Sequence, residues 1–269
     1  MAGSDRVLIT GAGSGLGQAL ALRYGRDGHR IACADIRIER AQATVDQLTA
    51  AGVDALALAV DVADPDSVAA LEQSLRRAWG GVDVLVNNAG VSSAGSVADT
   101  SLEDWHWMLQ VNLMGVVHGC RSFLPGLVAQ RRGRIINIAS YAALAGAPGI
   151  APYAVAKAGV VALSESLRAE LDGTGVGVSV ACPSFFPTRL LENFRAPATR
   201  YRTMAEKLMS ASRTDATRVA DAIVRAAAAG TFLILPTPDE PARWRLKRWF
   251  PDLYFKLLMR RIRARSTPA

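Results

Sequence analysis

The sequence predicts an α/β protein built on one open, parallel, seven-stranded sheet, doubly wound so that helices cover both faces in three layers. Three observations carry that expectation. Seven short apolar runs recur along the chain, and they are apolar throughout rather than alternating, as strands buried on both faces must be. Longer helix-patterned segments separate them, of the length a right-handed crossover needs. No internal repeat or low-complexity linker breaks the rhythm, so residues 1–240 read as a single domain.

The runs fall at residues 7–10, 31–35, 55–61, 84–87, 134–140, 176–182 and 232–235. Two segments depart from the pattern. Residues 184–213, between the sixth and seventh runs, collect bulky apolar side chains such as Phe185, Phe186, Leu190, Leu191, Phe194 and Met209, and read as a lid. Residues 241–269 form a separate extension.

Half of the residues are hydrophobic and 20% are charged, which suits a sizeable core. No apolar run approaches the roughly 18–20 residues of a membrane-spanning helix. The chain passes from Ser4 and Asp5 straight into the first run without a secretory pattern, so a cytoplasmic protein is expected. Cys33, Cys120 and Cys182 are far apart, odd in number and show no C-x-x-C spacing; they read as reduced core thiols. His29, His106 and His118 have no ligand spacing, and no metal is expected. The net charge of +7 is unevenly spread. Residues 241–269 hold nine Lys/Arg against one acid, Asp252, whereas the other 240 residues hold 22 basic and 23 acidic groups. The charge belongs to the extension, and no recognised nucleic-acid module accompanies it.

After the first run comes Thr10-Gly11-Ala12-Gly13-Ser14-Gly15-Leu16-Gly17, then a helix pattern. Glycines let the backbone turn sharply and approach a pyrophosphate without Cβ atoms in the way, and the N–H groups of the next helix face the negative charge. The spacing is T-G-x-x-x-G-x-G rather than G-x-G-x-x-G, so the βαβ setting carries the argument more than the glycines alone. Eighteen residues after Gly17, Asp35 ends the second run. A carboxylate there accepts hydrogen bonds from both adenosine ribose hydroxyls and repels a 2′-phosphate, which favours NAD over NADP. Arg37 could offset that repulsion, so NADP stays open, and a plain strand-end turn is the other reading of Asp35.

Tyr153 and Lys157 stand four residues apart behind Pro152 at a helix start, so their side chains share a face. A free tyrosine, with a pKa of about 10, is a poor base near neutrality. A nearby ammonium and the positive charge of an oxidised nicotinamide would lower that value. Such pairs are also common on helix surfaces. Further motifs follow in order: Asp61-Val62 in the third run, Asn87-Asn88-Ala89-Gly90 at the end of the fourth, Asn112 in the next helical region, Ser140 ending the fifth, and Pro183 with Thr188 five residues on. With these, residues 5–235 resemble the short-chain dehydrogenase/reductase family.

The resemblance implies a Rossmann-type fold and hydride transfer between a nicotinamide and an alcohol or carbonyl carbon. It implies a cofactor site formed by Gly11, Ser14, Gly15, Leu16, Gly17, Asp35, Asp61, Val62, Asn88, Ala89, Gly90, Tyr153, Lys157, Pro183 and Thr188. Asp61 and Val62 would flank the adenine, and Thr188 would hold the carboxamide. The implied catalytic tetrad is Asn112, Ser140, Tyr153 and Lys157. Ser140 would hold the substrate oxygen and Tyr153 exchange its proton. Lys157 would bind the nicotinamide ribose and depress the tyrosine pKa, while Asn112 anchors a proton-relaying water. A homo-oligomer, dimer or tetramer, is implied on the same ground. Ser184 departs from the family, which usually has glycine there.

Ala142 and its small or apolar neighbours follow Ser140. With Phe185, Phe186 and Leu190 from the lid they predict a pocket for a lipophilic alcohol or ketone of steroid, retinoid, terpenoid or acyl type, unless the lid residues only pack on the body. A carrier-bound 3-oxoacyl substrate is an alternative, although Asp35 argues against the NADPH such reductions usually use. A catalytically silent cofactor-binding scaffold is another, disfavoured because the whole tetrad is present. In the extension Phe250, Tyr254, Leu257, Leu258 and Ile262 share a helix face, with Lys256, Arg260 and Arg263 opposite. This basic amphipathic helix either docks on the body or a neighbouring subunit, or makes peripheral contact with an anionic membrane.

Overall fold

A computed structural model describes residues 4–212 and 214–266. Seven strands, β1 (Arg6–Thr10), β2 (Arg30–Asp35), β3 (Ala55–Ala59), β4 (Val84–Asn87), β5 (Gly133–Ile138), β6 (Val176–Ala181) and β7 (Leu233–Ile234), make one sheet in the order β3-β2-β1-β4-β5-β6-β7. Every neighbouring pair is parallel. The winding reverses between β1 and β4, and a crevice opens there beyond the carboxyl ends of the strands.

Eleven α-helices occur among the described residues: α1 (Gly15–Arg26), α2 (Ile38–Ala50), α3 (Pro65–Trp79), α4 (Leu102–Leu109), α5 (Gly115–Ala129), α6 (Ala142–Ala145), α7 (Ala151–Glu170), α8 (Thr199–Ser210), α9 (Ala216–Ala228), α10 (Glu240–Trp249) and α11 (Pro251–Ser266). Strand β1 shows why the runs are apolar throughout. Val7 and Ile9 pack into one core with Leu20 of α1, Val45 of α2 and Ile223 of α9. Leu8, between them, packs into the opposite core with Leu75 of α3, Phe123 of α5 and Val160 of α7. Both side-chain rows are buried, so neither can be polar.

Local chemistry sets the element ends. Asp64 caps α3 by accepting the Asp66 N–H at 3.0 Å, with Pro65 in the first turn, and Gly80 ends the helix in the left-handed region at φ 76°. β3 stops at Ala59, two residues before the sequence pattern ends, because its register with β2 runs out at Asp35. β7 pairs over two residues only.

The extension is the expected helical tail, in two helices, α10 and α11. It breaks at Phe250–Pro251, where proline brings no N–H and restricts the residue before it. Its roll differs from the expected one. Tyr254, Leu258 and Ile262 turn partly inward, whereas Phe250 and Leu257, expected on the same face, are exposed. Two anchors on α6 set this orientation: Lys247 Nζ donates to the Leu144 carbonyl at 2.6 Å, and the Tyr254 hydroxyl donates to the Ala145 carbonyl at 2.9 Å.

At the opposite end of the sheet, Arg6 clamps the entries of β1, β4 and β5. Its Nε and Nη2 donate to the two oxygens of Asp83 at 2.7 and 2.9 Å, its main-chain N–H adds a third bond at 2.9 Å, and Arg132 adds a fourth at 2.8 Å. Burial alone pushes the Asp83 carboxyl up, but the Arg6 bonds outweigh it and hold the group down at about 2. A depressed carboxyl contributes stability that is complete above its unfolded value of 3.8 and fades as pH falls towards 2. Asp83→Asn is therefore expected to cost about 2–3 kcal/mol in urea unfolding at pH 7, with the deficit shrinking below about pH 4. A deficit that does not change with pH would show that charge is not what Asp83 contributes.

Candidate active site

The crevice begins at the glycine turn between β1 and α1. Gly11 and Gly15 hold φ of 65° and 55°, a region that disfavours any side chain. A Cβ on Gly17 would stand 2.1 Å from the Gly11 carbonyl oxygen, and one on Gly11 would stand 2.8 Å from Ala89 Cα. Ser14 makes no side-chain cap to α1, so the first-turn N–H groups of Gly15, Leu16 and Gly17 are left for an anion. Leu16 contributes only backbone there, since its side chain is buried in the core. A tight turn ending in uncapped donors fits a dinucleotide pyrophosphate.

The turn is held from β4. Thr10 Oγ accepts the N–H groups of Asn88 and Ala89 at 3.0 and 3.1 Å, and Asn88 Nδ2 donates to the Thr10 carbonyl at 2.9 Å. The sequence pattern pointed to Asn88 and Ala89 but passed over Thr10, which opens the T-G motif. Behind them a buried polar chain runs from Asn87 Nδ2 to Asn137 Oδ1 at 2.9 Å and from Asn137 Nδ2 to Ser164 Oγ at 3.0 Å, tying β4 to β5 and α7.

Asp35 sits at the end of β2, facing this loop. Its Oδ2 accepts the Gly13 N–H and its Oδ1 the Arg37 N–H, both at 3.0 Å. Gly13, quoted in the loop but given no role of its own there, must lack a side chain: a Cβ would lie 2.8 Å from Asp35 Oδ2. Each carboxylate oxygen keeps a further acceptor position. Arg40 Nη1 lies 2.8 Å from Glu192 Oε2, joining α2 to the lid. Asp61 is exposed and accepts the Ala63 N–H at 2.9 Å, while Val62 is buried. Thr188 stands over the loop, its Cβ 3.4 Å from where a Gly15 Cβ would be, and its Oγ accepts the Leu190 N–H at 3.1 Å.

Helix α7 delivers Tyr153 and Lys157. Lys157 is buried and donates from Nζ to the Ile138 carbonyl at 2.9 Å; burial lowers its pKa to about 8. Gly90 keeps the space between Lys157 and Asn112 open, since a Cβ there would stand 3.5 Å from Lys157 Nζ and 2.6 Å from Asn112 Oδ1. Ser140 Oγ accepts the Ala142 N–H at 3.1 Å and lies 3.4 Å from the carbonyl of Pro183, which is buried. Burial raises the Tyr153 phenol above its ordinary value, with a hydrogen bond to Ser140 acting in the other direction. The expected lowering invokes Lys157 together with a bound nicotinamide; in the chain by itself the ammonium is directed at Ile138.

Asn112 lies in a π-helical turn, Gln110–Met114, between α4 and α5, which the sequence read as ordinary helix. Its Oδ1 accepts the Val91 N–H at 3.0 Å, and its Nδ2 donates to the Val91 carbonyl at 2.9 Å and contacts Met108 Sδ. The side-chain amide is engaged by main chain and braces the strand end after Gly90.

On the substrate side, Ala142 opens α6, Phe185 is exposed, and the Leu190 carbonyl accepts Ser92 Oγ at 2.8 Å. Phe186, expected in the pocket, is only 8% exposed and belongs to the core with Leu16, Leu20 and Ile138. Arg213, the end of the expected lid, lies outside the described residues. All three cysteines are buried, with burial pushing their thiols up to about 12. No cluster able to hold a metal occurs among the described residues.

Glu240, unremarked in the sequence, is 1% exposed at the start of α10. Its Oε2 accepts the Thr237 N–H at 2.9 Å, while its Oε1 is buried with no hydrogen-bond partner among the described residues. Burial pushes the carboxyl up to about 7 against that bond. A carboxyl raised in the fold contributes stability that is complete below its unfolded value of 4.5 and is lost as pH rises to about 7. Urea unfolding is thus expected to show the native chain losing stability relative to Glu240→Gln between pH 5 and 8; parallel curves would contradict this.

Comparison with known proteins agrees with this geometry. Residues 5–199 match the model of the short chain dehydrogenase family. Over 93% of its length the chain is 35% identical to "Probable oxidoreductase EphD" of Mycobacterium tuberculosis, of which it spans 44%. It is 36% identical to the 3-oxoacyl-[acyl-carrier-protein] reductase FabG of Staphylococcus aureus, a match covering 66% of this chain and 73% of that one. A solved short chain dehydrogenase/reductase from Burkholderia phymatum, in complex with NAD, aligns with a TM-score of 0.88 at 33% identity, covering 93% of this chain and 95% of that one. The chain belongs to the short-chain dehydrogenase/reductase family of oxidoreductases.

Proposed function

We propose that the protein is an NAD-dependent oxidoreductase interconverting a secondary alcohol and a ketone, with Tyr153 as general acid and base. The observation that carries this reading is the buried Lys157 beside Gly90, one helical turn after Tyr153 on α7, at the strand end that walls the glycine turn. A nicotinamide dinucleotide bound at that turn supplies the hydride chemistry.

In the reductive direction Ser140 Oγ holds the carbonyl oxygen and Tyr153 gives it a proton. In the oxidative direction Tyr153 takes the proton back. With a pKa of about 8, Lys157 keeps most of its charge at pH 7, and its place beside Gly90 suits it to hold a ribose hydroxyl and stabilise the phenolate. Pro183 and Thr188 wall the nicotinamide end. Asp61 and Val62 border the adenine end. NAD is favoured because Asp35 retains acceptor capacity and the guanidinium groups of Arg37 and Arg40 both lie against Glu192, at 3.9 and 2.8 Å, rather than free for a 2′-phosphate. The related Burkholderia protein is in complex with NAD.

The substrate class we infer is lipophilic, from Ala142, Leu144, Phe185 and Leu190 around the mouth. The likeness to a 3-oxoacyl reductase favours an acyl ketone as the second reading. Copies of the chain are inferred to associate, since β7 leaves one edge of the sheet unpaired among the described residues.

Tyr153→Phe is expected to lower kcat by about 10²–10⁴-fold with NADH binding, read by its fluorescence, unchanged; full turnover in the variant refutes the assignment. A substrate panel followed at the NADH absorbance band, with each cofactor, should favour lipophilic ketones and NADH. Equal turnover of small polyols would overturn the lipophilic pocket, and a preference for NADPH would overturn the role of Asp35.

A further inference from the structure

We propose that the outward face of α10 and α11 is a docking surface for an anionic lipid bilayer. Between residues 249 and 257 four large apolar side chains, Trp249, Phe250, Leu253 and Leu257, are exposed, as is Phe255, which projects about 160° away from the Leu253–Leu257 ridge. A merely solvated helix face has no need of them. At about 100° per residue, Leu253 and Leu257 project close together, with Lys256 and Arg260 on one side and Arg261 on the other. All three cations are exposed. An apolar ridge between rows of cations, with tryptophan and phenylalanine at one end, matches the boundary between headgroups and acyl chains. No helix among the described residues is long and apolar enough to cross a membrane, so contact through this face is interfacial.

Charge complementarity selects the occupant. Residues 241–269 carry a surplus of eight positive charges and the rest of the chain a deficit of one. Two copies meeting through this face would bring like charge against like charge, whereas an anionic headgroup layer neutralises it. The inner face of the extension is already engaged: Lys247 and Tyr254 hold the carbonyls of Leu144 and Ala145. Docking therefore brings α6, beside Ser140, close to the lipid surface, although the proposal does not depend on what the substrate is.

The test is co-sedimentation of the full chain with vesicles of phosphatidylcholine alone or with 30% phosphatidylglycerol, at low and high salt. The native chain is expected to pellet with the anionic vesicles only, and to be released by salt. Lys256→Glu with Arg260→Glu should lower the partition about tenfold or more. Trp249→Ser with Leu253→Ser should abolish it even at low salt. Circular dichroism and thermal melts, unchanged in both, would confirm that the fold is intact. Equal pelleting with neutral vesicles, no pelleting, or native-like binding by either variant overturns the proposal. So does lipid-free sedimentation velocity showing a native oligomer that Trp249→Ser with Leu253→Ser dissociates, which would make the face a subunit interface.

Discussion

The close approach of two backbones at the reversal of the sheet is the constraint on which the rest depends. The Gly11 turn lies against Ala89, with the Asn88 side chain bonded to the Thr10 carbonyl. Parallel strands put all their carboxyl ends on one edge, and only where the winding changes direction do the following helices part and leave a crevice. β1 and β4 bound that point. If the turn were looser, the first-turn donors of α1 would no longer face the same space as the strand end carrying Gly90. Asn112 and Lys157 both close on Gly90, so these two side chains take their position from this contact.

Burial governs the chemistry of those groups. It lowers Lys157 to about 8 and raises the Tyr153 phenol, so each is shifted towards its neutral form. The same desolvation holds Glu240 near 7 below the Ser184 segment. Glu240 ties the start of α10 to the Thr237 N–H, and Lys247 and Tyr254 of the extension hold the carbonyls of α6. These three side chains lie outside residues 5–199, the part matched by the family model.

Much of the fold was legible because buried parallel strands must be apolar on both faces, and that requirement writes itself into consecutive residues. The places of the glycine turn, Asp35, Ser140, Tyr153 and Lys157 at strand and helix ends were legible because the runs that fix those ends are local. The roles of Thr10 and Gly13 were not, since a threonine hydroxyl receiving two N–H groups and a glycine opposite a carboxylate look ordinary until the strands are assembled. Asn112 was placed in the right region but in the wrong helix geometry. A π turn leaves no composition signal, and the partner of its amide, Val91, is 21 residues away. Phe186 illustrates the limit of counting apolar residues in a lid, because hydrophobicity alone does not separate a side chain that lines a pocket from one that seals the core beneath it.

The sequence by itself determined the sheet class, the glycine turn after β1 and the placing of Tyr153 and Lys157 one turn apart on one helix, all of which rest on local spacing and on which residue types each position tolerates. Only the tertiary structure decided what each polar side chain bonds to, and therefore its pKa and role. It sent the Lys157 ammonium to Ile138 and closed Asn112 on Val91. It also rolled α11 so that Tyr254 faces Ala145 while Leu253 and Leu257 face outward. The reason is physical: hydrogen-bond partners and burial are set by distances between residues far apart in the chain, and no local pattern contains those distances.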